Sequence, residues 1–294
     1  MASLPSGDID LSLLLPIIDA QSTAREQVVQ RTKLGLSAIA EHVDNWADPE
    51  QVYNYATTAG ILIGAGQVAV ANLTEAYLSR IATIITGQRF QPAGVGPEFG
   101  APLRAVPIGT RWEQIYSRVA REYRLGIDDG LDKEYAFHRA NIRAMQMAEA
   151  DLGLAFQREI DTFIRFAGQR RERRYIFAYR RIVRPELSQG RVCGLCIAAA
   201  DRIYYRGDLL PIHNGCNCEV MLITRSTDPG SLVTHLDPGG QLNREALDEL
   251  YRNAGDNTDY LSLRRTKYVI EQHGEYGPVL RFRDHHFTGP SEVQ

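Results

Sequence analysis

The sequence predicts an α+β protein in which a long helical N-terminal region is followed by a small α+β module. Apolar residues recur at helical spacing as far as about residue 167, and cap and stop signals divide them into segments. After Gly168 the pattern changes to short runs rich in β-branched and aromatic residues, beside four clustered cysteines. The 294 residues have room for one large domain or two ordinary ones.

Residues 1–87 are predicted to form a helical hairpin. Residues 17–46 carry apolar side chains about three, four and seven positions apart, which favours a first helix. Asp48 and Pro49 then supply an N-cap and a proline at the first helical position. They predict a second helix over about 50–86 that stops at Gly87.

No membrane span or secretory signal is expected. The apolar patch at 11–18 lacks a preceding basic segment and has acidic residues on both sides, which is untypical of a cleaved signal. In the apolar stretch 56–71, Thr57, Thr58 and Gln67 interrupt the run and glycines dilute it. A span needs about 20 mainly apolar residues. We therefore predict a helix packed closely against other helices.

Residues 88–109 contain four prolines and four glycines and are predicted to be a linker or an extended arm. A second helical region should cover 110–167. Thr110–Glu113 resembles a capping box that opens a third helix, which Gly126 should end. A fourth helix is predicted over 131–166. The large apolar residues expected on its buried face are Tyr135, Phe137, Ile142, Met145, Leu152 and Phe156.

The module at 168–294 is predicted to contain strands and a short helix. A first strand should lead towards the cysteines and a second should follow them directly. A short helix and a C-terminal hairpin should come next, before a loose tail. The predicted segments are 175–179 with 182–183, then 219–224, the helix at 244–251, and the hairpin strands 268–271 and 279–282.

The cysteine cluster has the spacing of a zinc knuckle. Cys193 and Cys196 form a C-x-x-C turn, and His213, Cys216 and Cys218 follow in a second short loop. Zinc takes four tetrahedral sulfur or nitrogen ligands. The prediction is one structural zinc per chain, bound by Cys193, Cys196 and two of the other three, with the choice among those three left open. A closed site would join two segments where the module has little core of its own.

Other interpretations of the cluster are two disulfides, free thiols or a catalytic zinc with an open position. Clustering within one short segment favours a metal over a secreted disulfide framework. A catalytic zinc usually needs a carboxylate base nearby, and Asp201, Asp208 and Glu219 are close in sequence. None of them falls into a zinc-hydrolase pattern such as H-E-x-x-H.

An arginine-rich segment approaches the cysteines, with aromatic residues interleaved. Arginine pairs with phosphate and carboxylate groups, so contact with nucleic acid is one interpretation. The favoured alternative is a solvated face, a protein partner, or salt bridges to acidic surface at Asp128, Asp129, Asp132 and Glu134. The candidate contact residues are Arg170, Arg171, Arg173, Arg174, Arg180, Arg181 and Arg184.

The segment from Cys193-Gly-Leu-Cys196 through Tyr204-Tyr-Arg-Gly207 to Leu210-Pro-Ile-His213-Asn-Gly-Cys216-Asn-Cys218-Glu-Val220 resembles the C-terminal signature of the phage Mu F-like minor head proteins. In that family a C-x-x-C pair precedes H-P-x-C-R-C and a strand. Asn214 and Asn217 depart from the usual proline and arginine. The motif covers about a tenth of the chain, and the preceding helical half also suits the family.

The resemblance implies a virion protein of the capsid interior, near the portal vertex, present in the host cytoplasm during assembly. It implies a non-enzymatic minor capsid protein of head morphogenesis. Its expected partners are the portal protein, the major capsid or scaffold protein, and packaged DNA. Similar actinobacteriophage proteins are often labelled capsid maturation protease.

Two enzymatic alternatives remain. A maturation protease would need a nucleophile, a base and an orienting group that converge. Serines and histidines are present, but no G-x-S-x-G elbow places one of them. A zinc-knuckle nuclease would need a catalytic histidine and metal-binding acids on a ββα unit, and the sequence places none.

Overall fold

In the computed structural model the chain folds into a helical bundle with an antiparallel sheet against one end. The structure describes all residues except 1–9, 93, 104–108, 168–174, 183, 185–198, 201–202, 206–217, 226–234, 245–267, 274–276 and 283–294. For 166–167, 177, 268–273 and 277–282 it describes the backbone alone. The helices are α1 (Leu15–Ala40), α2 (Pro49–Thr86), α3 (Trp112–Tyr116), α4 (Arg118–Asp128) and α5 (Lys133–Ala167). The strands are β1 (Ile176–Ile182), β2 (Glu219–Arg225), β3 (His235–Leu236), β4 (Tyr268–His273) and β5 (Gly277–Phe282).

Helix α2 lies at the centre of the bundle, and its ends follow the sequence signals. The Asp48 side chain accepts a hydrogen bond from the Glu50 amide, and Pro49 occupies the first turn. Gly87 follows the helix with φ of 65°, the left-handed conformation that glycine adopts without a steric penalty. The predicted second helix is therefore confirmed to within one residue.

The direction of the helices follows from their contacts. Along α1, Arg25 lies over the Phe156 ring, Lys33 pairs with Glu149, and Ser37 accepts a hydrogen bond from Asn141. Because the partners on α5 descend as α1 ascends, these two helices are antiparallel. Helices α2 and α5 run in the same direction, because their N-terminal halves share one cluster of buried residues and their C-terminal halves share another.

Two apolar cores occupy the two ends of the bundle. The first core holds the C-terminal halves of α2 and α5 together with β1, β2, Leu14 and Ile18. The second core holds their N-terminal halves together with α3, α4, Leu36 and Trp46. Since the first core contains residues from both sides of residue 168, the sheet is packed into the helical region and shares its core.

Helix α2 is long and apolar enough to match a membrane span by length and composition, although no span was predicted from the sequence. Half of its most apolar window is buried in the protein. Its glycines explain the close packing. A Cβ atom added at Gly60 would lie 2.3 Å from Trp112 Cβ, and one at Gly66 would lie 2.9 Å from a methyl carbon of Leu152. These contacts are those of a core helix with close neighbours.

Three helix boundaries differ from the sequence prediction. Helix α1 ends at Ala40 rather than near residue 46, because the chain turns there and buries Trp46 in the second core. The third helix is divided into α3 and α4 at Ser117, and it opens with Gln114 accepting from the Arg111 amide rather than with Thr110 and Glu113.

Gly126 does not end the third helix, because α4 continues to Asp128. A Cβ atom at Gly126 would lie 3.1 Å from Ala136, so this glycine allows α4 to approach α5 closely. The buried face of α5 was also predicted incorrectly in part. Leu152 and Phe156 are buried, but Tyr135 is 66% exposed and Ile142 is 42% exposed. Small residues take their place on that face, chiefly Ala136, Ala140, Ala144 and Ala148.

The proline- and glycine-rich segment after α2 lies on the bundle where it is described. Phe90 and Phe99 are buried in the first core. Trp112 donates from its indole nitrogen to the Gly100 carbonyl at 3.1 Å. When the side-chain amide of Gln67 in α2 is oriented so that its nitrogen faces acceptors, it donates to the carbonyl oxygens of Phe99 and Ala101.

The first sheet has the order β1-β2-β3 and is antiparallel throughout. Both strands predicted beside the cysteines are confirmed, and Ile182 pairs with Glu219 at one end of the register. The predicted C-terminal hairpin is confirmed as β4 and β5, which form a second, two-stranded sheet. Helical residues occupy 238–244, so the described part of the predicted short helix lies earlier than expected. Its remaining residues, 245–251, and the predicted tail lie outside the described residues.

Candidate metal centre and its attachment to the helices

Most of the predicted metal knuckle lies outside the described residues. Cys193, Cys196, His213 and Cys216 fall there, while Cys218 is described and is buried, with 7% of its surface exposed. Cys218 immediately precedes β2, so the C-terminal loop of the knuckle leads directly into the central strand of the sheet. Within the described residues, no three His, Cys, Asp or Glu side chains are grouped to hold a metal.

Cys218 itself suits a structural zinc ligand. Its side chain is sheltered from bulk water, and the next residue begins a strand that is buried as far as Thr224. Sulfur and imidazole nitrogen are the ligands that zinc prefers in closed sites. Cys193, Cys196 and two members of the His213, Cys216 and Cys218 loop would hold the ion.

A group of charged and polar side chains holds the start of β2 against α1. We name it the clasp, and it consists of Asp19, Ser22, Arg25, Arg184 and Glu219. Glu219 is fully buried, and its Oε1 accepts from Ser22 Oγ at 2.9 Å and from Arg25 Nη2 at 2.9 Å. Arg184 donates to Asp19 Oδ1 at 2.6 Å and to Ser22 Oγ at 3.2 Å.

The clasp satisfies a charge that would otherwise be isolated in the interior. The Arg25 side chain is 12% exposed and also lies over the Phe156 ring, with 4.3 Å from its guanidinium carbon to the ring centre. Removing one partner of a buried ion pair costs about 3–5 kcal/mol, because the other charge remains desolvated. Glu219, considered from sequence as a base for a catalytic zinc, is therefore engaged in a structural ion pair.

A hydrogen bond from α2 reaches the same strand. Tyr77 is buried and donates from its hydroxyl to the Val220 carbonyl at 2.7 Å. Burial raises the pKa of Tyr77 well above its usual value of 10.0, and the nearby negative charge of Glu219 raises it further. Arg184 and Arg25 oppose that rise. The phenol consequently stays neutral and able to donate.

The described members of the arginine-rich segment make contacts within the protein. Arg180 donates twice to Asp237 Oδ2, at 2.9 and 2.7 Å, and once to the Ala200 carbonyl. Arg181 is 2% exposed and lies over the Tyr204 ring at 5.4 Å. Arg184 belongs to the clasp. Arg170, Arg171, Arg173 and Arg174 lie outside the described residues.

The acidic partners of these arginines are different from those considered in the sequence. Asp237 and Asp19 take that role, whereas Asp129 pairs with Arg139 at 2.7 Å, beside the helix turn between α4 and α5. The hydrogen bonds that Arg139 donates to Asp129 and Glu122 raise the pKa of Arg139. No charge-sign pattern in the sequence distinguishes Asp237 from the other acids.

Sequence reasoning missed the α1 half of the clasp. Asp19, Ser22 and Arg25 are each three residues apart, so they share one face of a helix. That polar row interrupts the apolar face predicted for the first helix, and this interruption was the available signal. Its partner Glu219 lies nearly two hundred positions later, at a separation of 197 from Ser22, which local pattern does not reveal.

Comparison with known proteins adds no assignment. No family model matches the chain, and neither curated proteins nor solved structures gave a significant match.

Proposed function

We propose that this chain is a minor head protein of a tailed phage, similar to the Mu F-like family, with one structural zinc in its knuckle. The observation that carries the proposal is the C-x-x-C and H-x-x-C-x-C pair followed at once by a buried strand. A helical half precedes this unit, which also suits the family that the motif resembles.

The proposed role is non-enzymatic. The protein lies in the capsid interior and docks at the portal, where it aids head assembly and the packaging or ejection of DNA. The zinc joins the two knuckle loops, and the clasp joins the second loop to α1. Since Arg180, Arg181 and Arg184 are used within the protein, contact with DNA or with the portal depends on Arg170, Arg171, Arg173 and Arg174.

Metal analysis of the purified full chain tests the site. We expect about one zinc per chain. Cys193→Ser or Cys196→Ser should abolish stoichiometric zinc, and two of His213→Ala, Cys216→Ser and Cys218→Ser should do the same. His42→Ala is the matched control, because His42 lies after α1, is exposed, and its ring hydrogen-bonds to the Ala38 carbonyl. Full-length folded protein that contains no zinc would contradict the site.

Imaging of virions tests the role. The protein, carrying a small tag, should be found at the portal vertex inside the capsid, and its absence from virions would contradict the proposal. Co-expression with the major capsid and scaffold proteins tests the protease alternative. Cleavage that disappears on a single Ser or His substitution, with folding unchanged, would replace the structural role with an enzymatic one.

A further inference from the structure

Helix α1 is attached to the bundle by much less apolar surface than its neighbours. Its buried residues are Ile18, Gln21, Ser22, Thr32, Leu36 and Ala40, of which half are polar. Helix α2 buries a far larger and mainly apolar set of side chains along most of its length. Helix α5 likewise contributes apolar residues to both cores. Burial of apolar side chains therefore opposes the separation of α1 less strongly than the separation of α2 or α5.

Polar contacts hold the middle of α1. The clasp joins it to β1–β2 through Glu219, and Lys33 pairs with Glu149 of α5 at 3.0 Å. When such an interface opens, water replaces the lost hydrogen bonds and ion pairs. Opening a polar interface consequently costs less than opening an apolar one of the same size.

Contacts that do not involve α1 also join the rest of the protein. Tyr77 of α2 donates to the Val220 carbonyl of β2, so the sheet remains bound to α2. Trp46 contacts Tyr55 of α2 edge-on, with ring centres 5.1 Å apart, and stacks on Tyr123 of α4 at 5.9 Å. Between α1 and Trp46 the chain at Glu41, His42, Asp44 and Asn45 is exposed. Val43 between them is half-buried and packs against the second core, so a bend in this segment moves one side chain at the edge of that core and leaves Trp46 in place.

We propose that α1 is a separately opening strap, hinged at residues 41–45 and latched to the sheet by the ion pair between Arg25 and Glu219. In the closed state the latch buries both charges. In the open state α1 swings away while α2, α5 and the sheet stay folded, and the sides of α2 and α5 that α1 covers become accessible. Local opening of this kind draws on the least stable contiguous unit of a fold.

Amide hydrogen exchange, followed by mass spectrometry on the full chain at neutral pH, tests the strap. Under native conditions we expect amides in the middle of α1 to exchange at least tenfold faster than those in the middle of α2 and α5, after correction for intrinsic rates. Arg25→Gln should increase exchange across α1 by a further tenfold or more. Exchange rates in α2 and α5 should stay within about threefold of the wild type, because the substitution weakens only the contact between closed α1 and the sheet.

Lys33→Gln is the matched control on the same helix. The partner of Lys33, Glu149, is one-third exposed and can regain water without opening, so α1 exchange should change by less than threefold. Ser22→Ala, a milder change in the clasp, should have an intermediate effect and keeps the test available if Arg25→Gln does not fold. Equal protection of α1, α2 and α5 in the wild type would overturn the proposal, as would equal effects of Arg25→Gln and Lys33→Gln.

Discussion

The hydrogen bond between Tyr77 and Val220 joins the helical bundle to the sheet, and deleting one oxygen atom removes it. Tyr77→Phe deletes the hydroxyl, which donates to the Val220 carbonyl at 2.7 Å, and leaves the ring in place. The ring is 4% exposed and Val220 is 1% exposed, so water does not readily replace the lost donor. The substitution therefore isolates the energetic contribution of this single contact.

The expected loss of stability is about 1–2 kcal/mol. A neutral intramolecular hydrogen bond contributes about 1 kcal/mol net, and a buried acceptor left without its donor costs about 1–3 kcal/mol. The lower part of that range applies, because a carbonyl oxygen has a second lone pair within the sheet. Tyr53→Phe is the matched control on the same helix. Tyr53 is 52% exposed, and its substitution should change stability by less than about 0.5 kcal/mol.

Urea unfolding at neutral pH, followed by circular dichroism and by tryptophan fluorescence, measures both variants. Trp46 and Trp112 belong to or pack against the second core, while Tyr77 belongs to the first core. Because α2 passes through both cores, Tyr77→Phe should shift the two signals together. If the fluorescence midpoint stays at the wild-type value while the circular dichroism midpoint shifts, the two cores do not unfold as one cooperative unit. A Tyr77→Phe protein as stable as Tyr53→Phe would refute the contact.

Two glycines and one tyrosine give the remaining predictions, all measurable by the same urea titration. Gly153→Ala should stabilise by about 0.5–1 kcal/mol, because an added Cβ meets nothing within 4 Å in the interior of α5. Gly60→Ala should destabilise by about 1–3 kcal/mol, since its Cβ would lie 2.3 Å from Trp112 Cβ. Tyr55→Phe should be neutral or stabilise by up to about 1 kcal/mol, because the buried Tyr55 hydroxyl has no partner among the described residues. Burial raises the pKa of Tyr55 above 10.0, so the stability it contributes is complete below pH 10 and is lost as the pH rises further. Tyr55→Phe should reduce that alkaline loss. Destabilisation by Gly153→Ala, stabilisation by Gly60→Ala, or an unchanged alkaline slope for Tyr55→Phe would contradict these arguments.

Local signals predicted the elements well where one residue type decides the outcome. Asp48 with Pro49 marked the start of α2 and Gly87 marked its end, because a cap, a fixed φ and a left-handed turn are properties of single residues. The strands beside Cys218 were predicted because β-branched runs there are short and bounded. Such features depend on neighbours in sequence and need no knowledge of the fold.

The errors occurred where packing decides. Gly126 has the appearance of a helix stop, but its role is the close approach of α4 to Ala136, which only the tertiary structure contains. The buried face of α5 is lined by alanines such as Ala140 and Ala144, since closely packed helices leave no room for larger side chains there. A search for large apolar residues selects Tyr135, which is exposed.

In the candidate site, too, some features depend on neighbours in sequence and others depend on the tertiary structure. Metal-ligand spacing is a local property, so the sequence alone leads to the prediction of a knuckle from Cys193 to Cys218, while the attachment of Glu219 to Arg25 is visible only in the structure. That attachment has a consequence for the proposed role. Cys218 is one residue from Glu219, whose side chain is fixed to α1, and two residues from Val220, whose carbonyl is fixed to α2. The predicted second knuckle loop therefore ends, at Cys218, beside two residues that are fixed to the helices. A protein that docks through this loop would present it in one orientation relative to the bundle, and opening α1 would release one of its two attachments while Tyr77 retained the other.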